Sequence, residues 1–266
     1  MTTSVLVGSS NVGENTTYLT NDRAFLVKSG ADHFLVYDGK RAEIDVDNPA
    51  IMRALGLEGA QARPISIGFL NSIPEVPRVD APRIPELGSA PRFPLQNKTV
   101  GSVVQVSAGA DPQYYVVLEN GIQKVGAAVA QLIYFSDSQG ATGITNVTPD
   151  AISRIPSVSE LTVDSLPQAV PEIVDDRGAP VGCLQWAPSP AVEGGESSSA
   201  TLKLVAGLQV PIPEGGKLVS LAQADGSGDN LDSVHVEQGF GGFVQATGIE
   251  TSSTRRDGCS TYPIPV

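Results

Sequence analysis

"ISIGFLNSIP" occupies residues 65–74, and "VTPDAISRIP" occupies residues 147–156. The two decamers align without a gap. Each reads aliphatic, hydroxyl, three variable residues, aliphatic, a short polar pair and then Ile-Pro. Both have the marks of a short helix. Ser66 and Thr148 are suitable N-caps, since a hydroxyl can accept from a free N–H of the first turn. Pro149 stands at the first helical position, where its missing N–H does no harm. Leu70 with Ile73, and Ile152 with Ile155, share one face, and Pro74 and Pro156 stop each helix.

The likeness extends upstream. "HFLVYDGKRAEI" (33–44) and "YYVVLENGIQKV" (114–125) are each two apolar runs about a turn dipeptide, Asp38-Gly39 or Asn120-Gly121. Such dipeptides between strand-like runs predict hairpins. A helix follows each. In the first copy Asn48 caps, Pro49 opens and Gly56 closes "AIMRAL"; in the second, "AAVAQLIYF" takes that place. A hairpin with two helices makes a marginal core, so each unit is expected to dock on a larger body.

That reading divides the chain as follows. Residues 1–30 supply strands of a central β domain and 31–80 form a repeat unit. Residues 81–112 are a Pro-rich connector and a strand, and 113–163 form a second repeat unit. The central β domain resumes over 164–256, with strands in "GCLQWAP", "TLKLVAGLQVPI", "KLVSLAQA" and "DSVHVEQGFGGFVQATG". Residues 257–266, around Asp257-Gly258, resemble the start of a further, truncated repeat. The fold class is α+β, an elongated body with a central β-rich domain flanked by hairpin-plus-two-helix units.

Composition limits function. Net charge is −12, which repels a phosphate backbone, so no nucleic-acid partner is expected. No apolar run reaches the ~20 residues of a membrane helix, and "MTTSVLVGSS" lacks a signal peptide's basic flank. With 2 His and 2 Cys, a zinc site is not expected. Cys183 and Cys259 are either two buried thiols or one disulfide. A Trp186 packed beside Cys183 in a β-rich core fits the spacing, and at least one of Tyr114 and Tyr115 is expected to be buried.

No catalytic set emerges. "GSSNVG" (8–13) has the glycine spacing of a phosphate loop but no Lys, and reads as a plain loop. "GFGGF" (239–243) follows no βαβ pattern. "DGSGDNLD" (225–232) alternates Asp225, Ser227 and Asp229 as a calcium loop does, but lacks its glycine and glutamate, so a solvated turn is expected. Asp38 serves a turn, and Asp45 and Asp47 favour a helix N-terminus. His33 and His235 lack partners for nucleophilic catalysis. No catalytic residue, cofactor or metal is assigned.

The ordered blocks resemble a known family. "FLVYDGKRAEIDVDNPAIMRALGL", "ISIGFLNSIPEVP", "GSVVQV", "QYYVVLENGIQKVGAAVAQLI", "VTPDAISRIP", "VGCLQWAP", "LVSLAQADGSGDNLDSVHVEQGFGGFVQATG" and "DGCSTYPIPV" are similar, in this order, to EccB of the type VII (ESX) secretion systems of actinobacteria. The resemblance runs from about Arg23 onward. It implies an extracytoplasmic (periplasmic) piece of a single-pass protein, which would meet the membrane only through an anchor absent from this chain. It implies that Cys183 pairs with Cys259. Its implied function is structural, in assembling a secretion machine. Implied partners are other secretion subunits, a further copy as an oligomer, and peptidoglycan as a cell-wall ligand. ATP hydrolysis or nucleotide binding without a P-loop is the alternative.

Overall fold

The computed structural model describes residues 2–13, 15–107, 111–188, 200–226 and 228–240. The described residues fall into two compact units, one within 2–11 and 211–240, the other within 12–210. The smaller unit opens with strand β1 (Ser4–Val7).

The larger unit begins with β2 (Thr16–Tyr18), β3 (Arg23–Ser29), β4 (Asp32–Tyr37) and β5 (Lys40–Glu43). Strands β3, β4 and β5 form an antiparallel meander. Tyr37 lies opposite Lys40, leaving Asp38-Gly39 as a two-residue turn. Their φ values of 48° and 68° are both left-handed, as a type I′ turn requires. Helix α1 (Pro49–Ala54) follows. Asn48 Oδ1 accepts from Ala50 N at 3.0 Å and Ile51 N at 3.4 Å, and Gly56, φ 64°, lies beyond the last turn. Strand β6 (Arg63–Pro64) runs parallel to β3. Helix α2 (Ile67–Asn71) is capped by Ser66, whose Oγ accepts from Phe69 N at 3.2 Å. Strand β7 (Glu75–Val76) then returns parallel to β5.

The second segment has the same order. Strands β8 (Val103–Val106), β9 (Gln113–Val117) and β10 (Ile122–Val125) form an antiparallel meander. Helix α3 (Ala127–Ser136), strand β11 (Thr145–Asn146) parallel to β8, and helix α4 (Pro149–Ser153) follow. Ser157 bridges Ile122 in parallel, as Glu75 pairs Arg41.

These pairings explain the duplicated decamer. Arg41 N donates to Pro74 O at 2.8 Å, and Ile122 N donates to Pro156 O at 2.9 Å. Proline ends each helix and presents a carbonyl to the second hairpin strand. At the other end Ile65 N donates to Lys28 O at 2.9 Å, and Val147 N to Gln105 O at 2.8 Å. The hydroxyl residue and the Ile-Pro thus frame a helix stitched to the sheet at both sides.

Three particulars depart from the sequence reading. First, β3 and β8 each belong to the meander of the hairpin they precede, not to a β domain or a connector. Second, the two segments do not dock separately on a β body. Ile51, Ala54 and Leu55 on or just past α1 share one core with Ala128, Val129, Leu132 and Ile133 of α3. Third, Thr148 makes no side-chain cap and α4 buries no residue, whereas α2 buries Leu70.

The strands expected to form one central domain divide. Strand β12 (Glu172–Ile173) joins β3 in parallel. Strands β13 (Val181–Pro188) and β14 (Ala200–Gly207) pair with β2 in the order β13-β14-β2. Leu184, Leu204 and Ala206 from that sheet pack on Phe25, Val27, Val36, Ile65, Leu70 and Ile73. Burial of these aliphatics, at about 1.5–3 kcal/mol each when complete, holds the sheet to the first meander. Strands β15 (Val219–Ser220) and β16 (Ser233–Val236) belong to the smaller unit, in the order β1-β16-β15. Of "KLVSLAQA" only Val219–Ser220 is strand. The mixture of helices and several separate sheets makes the class α+β. Residues 241–266, including the second strand of "DSVHVEQGFGGFVQATG" and the segment around Asp257-Gly258, lie outside the described residues.

Candidate functional site

The glycine loop that could have cradled a phosphate holds one of the chain's own carboxylates. Ser9 donates to Glu237 Oε2 through its N–H at 2.6 Å and its hydroxyl at 2.7 Å. Gly8 has φ 125°, and a Cβ there would meet Glu237 at 2.5 Å, so the glycine serves close approach. These hydrogen bonds hold the Glu237 carboxyl below the usual carboxylate range, aided by nearby His235.

The acidic loop at 225–232 likewise turns its oxygens inward. Asp225 accepts from Gly228 N at 2.9 Å and Asn230 N at 3.2 Å. Buried Asp232 accepts from Thr3 N at 2.7 Å, Asp225 N at 3.1 Å and Gly226 N at 2.6 Å. A carboxylate satisfied by N–H groups has little left for a cation, so these contacts favour the turn reading over the calcium reading. Among the described residues no group of three His, Cys, Asp or Glu side chains could hold a metal ion.

The other residues read from sequence lie apart. His33 sits on β4 opposite Lys28. His235 Nδ1 lies 2.9 Å from Lys217 O, and Gly216 is so close that a Cβ there would meet the imidazole at 2.9 Å. Tyr114 and Tyr115 on β9 are both half-buried, short of the burial expected for one of them. Asp38 faces Lys40 at 3.8 Å, in the turn as expected. Asp45 and Asp47 do not simply favour a helix terminus. Asp45 accepts from Asp47 N at 3.0 Å and pairs with Arg78 at 3.0 Å. Arg78 also reaches Glu43 at 3.6 Å and Asp80 at 3.5 Å, tying the segment just after β7 to the first hairpin. Each such exposed pair contributes about 0–1 kcal/mol.

Trp186 overturns its expectation. It is 64% exposed on β13, opposite Leu202, and is not packed in a core. Cys183, three positions earlier, points to the other face of the strand, half-buried beside Val205. Burial pushes its thiol up to about 11, so it is a poor nucleophile at neutral pH. Cys259 lies outside the described residues.

One buried residue escaped the sequence reading. Arg63 is 6% exposed, with Nη2 donating to Ala179 O at 2.7 Å and its guanidinium 4.9 Å from the Phe25 ring centre. Burial pulls its pKa down, opposed by Asp176 and Asp175. "ARPIS" carries no signal for this, because its neighbours Ala179 and Gly182 lie more than a hundred residues away in the chain.

Outward-facing apolar groups remain. In the smaller unit Val5, Val234 and Val219 stand in one register row, with Val7 and Val236 in the next row on that face. Val5 and Val219 are 44% and 61% exposed. Among the described residues these side chains form a surface able to contact another chain, not a pocket able to hold a small reactant.

Residues 1–262 match the family described as "Type VII secretion system ESX-1, transport TM domain B". The chain is 35% identical over 251 residues to the ESX-3 secretion system ATPase EccB3 of Mycolicibacterium smegmatis, covering 91% of this chain and 47% of that protein. It is 30% identical over 254 residues to the ESX-5 secretion system ATPase EccB5 of Mycobacterium tuberculosis H37Rv, covering 93% and 49%. It therefore spans about half the length of these relatives. A periplasmic assembly from the ESX-5 inner membrane complex superposes with a TM-score of 0.69 at 28% identity, over 89% of this chain and 57% of that one. An EccB3 dimer from the ESX-3 core complex gives 0.70 at 31% identity, over 85% and 56%.

Proposed function

The chain belongs to the EccB family of type VII secretion components, and from that premise we propose that it is an extracytoplasmic assembly domain of an ESX secretion machine. The observation that carries this reading is the similarity, over most of the chain, to solved chains of a periplasmic assembly from the ESX-5 inner membrane complex and of an EccB3 dimer. Its work is binding. The partners are other secretion subunits and a second copy of the chain, met through exposed apolar and polar surfaces. The segments 23–80 and 103–158 are one duplicated unit, fused through α1 and α3 and carried beside the β13-β14-β2 sheet. Cys183 pairs with Cys259, which fits an oxidising compartment and a thiol useless as a free nucleophile.

The test is complementation in cells lacking the parent protein. Full-length protein carrying this domain should restore the membrane complex on native gels, and the same protein with the domain deleted should not. A complex of unchanged size without the domain overturns the reading. Non-reducing mass measurement tests the disulfide, which lowers the mass by two hydrogens.

A second reading has one observation behind it, the word ATPase in the relatives' names. Against it, the Ser9 donors of that loop are already taken by Glu237. Magnesium-dependent ATP turnover by the purified chain would favour it. Peptidoglycan binding is a third reading, and pull-down on purified cell wall decides it.

A further inference from the structure

The smaller unit joins two stretches of chain more than two hundred residues apart, and the join is short. Strand β1 pairs with β16 over Ser4–Val7 in parallel. Beyond the ladder, each end of β1 is gripped by a carboxylate next to β16. Ahead of the strand, Thr3 N donates to Asp232 Oδ2 at 2.7 Å, while Asp232 N returns a bond to Thr3 O at 2.9 Å. Behind it, Ser9 donates twice to Glu237 Oε2, while Glu237 N donates to Val7 O at 2.9 Å. Between the two grips the Ser4 and Ser233 hydroxyls meet at 2.7 Å.

We propose that Thr3–Ser9 is a releasable strand, clasped at its two ends by Asp232 and Glu237, and that its docking switches the order of the whole smaller-unit sheet. Four paired residues with a half-exposed Val5 bury little apolar area, which places β1 at the low-stability end of the molecule. Charge-assisted bonds to backbone N–H groups therefore supply much of what holds it. Among the described residues, β16 keeps only Val219–Ser220 as a partner once β1 leaves, and a two-stranded ribbon is marginal in water. Asp232 also orders the 225–226 turn, so its clasp reports to both ends of the unit.

The charged groups facing the clasps work with them or stay neutral to them. Asp232 is flanked by Asp225, whose oxygens are engaged with Gly228 and Asn230. Glu237 is flanked by His235, whose charge favours the carboxylate. Both carboxyls lie below their ordinary range because the docked strand donates to them. Docking is therefore complete above the ordinary carboxylate range and is lost as pH falls through the lowered values.

Hydrogen exchange on the intact chain tests this, with peptides covering β1, β16 and, as internal reference, β3 and β4. At neutral pH, Asp232→Asn or Glu237→Gln should raise exchange in β1 and β16 by about tenfold or more while the reference peptides hold. The double variant Ser4→Cys with Ser233→Cys, oxidised, should suppress that rise. Unchanged β1 exchange in both carboxylate variants overturns the proposal. If a variant fails to fold, acidifying the unmodified chain decides. Release of β1 and β16 before the reference peptides supports the clasp, and loss of all four together overturns it.

Discussion

Gly121 and Gly39 occupy related hairpins for different reasons. Gly39 takes a left-handed φ that completes a type I′ turn. Gly121 does not. Leu118 N donates to Gly121 O at 2.8 Å, so Glu119-Asn120 are the turn residues and Gly121 stands at the base. There a Cβ would meet Pro156 O at 2.3 Å and the Val158 side chain at 2.9 Å. Gly121→Ala must push the Ile-Pro end off the hairpin and break the bond from Ile122 N. It should destabilise the chain by about 2–3 kcal/mol in chemical denaturation. A loss under 0.5 kcal/mol would mean the contact is slack. Tyr37 makes a second residue-scale case. It is 3% exposed, its hydroxyl donates to Ser165 O, and burial holds the phenol well above its ordinary range. A raised folded pKa means this stabilisation is complete below the unfolded phenol value and is lost as pH climbs beyond it. Tyr37→Phe leaves the carbonyl without its donor. It should lower stability by about 1 kcal/mol at pH 7 and blunt the loss of stability seen in alkali.

At the scale of elements, the two copies should respond differently to the same edit. Asn48 and Ser66 accept from free N–H groups of α1 and α2, whereas Thr148 accepts none in α4. Asn48→Ala and Ser66→Ala should each cost about 1 kcal/mol, and Thr148→Ala a few tenths, in the same unfolding assay. Equal costs would show that α4 is capped in solution after all. This asymmetry marks how far the sequence could be read. Turn and cap residues act over three or four positions, so the hairpin at Asp38-Gly39, the Asn48 cap and the Ile-Pro stops were all legible. What lies against an element is set from elsewhere in the chain. Strand alternation sets Cys183 and Trp186 on opposite faces of β13, which the expectation of a Trp186 packed beside Cys183 did not use, and it does not tell which face the rest of the chain covers. The fusion of the copies had a signal that went unused. Helix α3 buries Ala128, Val129, Ala130, Leu132 and Ile133, an apolar surface too wide for a hairpin alone, so a second partner was implied. No local pattern announced that Arg63 would be buried.

Over the whole molecule, charge and apolar exposure set the terms of association. A net charge of −12 on 266 residues makes any two copies repel at a distance, while Val5, Val219 and Trp186 give short-range surfaces that gain by being covered. The two effects respond differently to salt. Repulsion is screened within about 10 Å at 0.1 M and about 30 Å at 0.01 M, whereas apolar burial is nearly unchanged over that range. If copies meet through apolar faces, raising salt from 0.01 to 0.3 M should strengthen self-association, read as a rise in weight-average mass by sedimentation equilibrium. If they meet through ion pairs between opposite charges, the same change should weaken it. Replacing Val219 by Asp puts a further charge on the most exposed position of the valine face and should shift the equilibrium toward monomer at every salt concentration. An unaltered equilibrium would move the contact to another surface, and Trp186→Ala in the larger unit is then the discriminating variant, since a contact centred there would lose its one exposed indole.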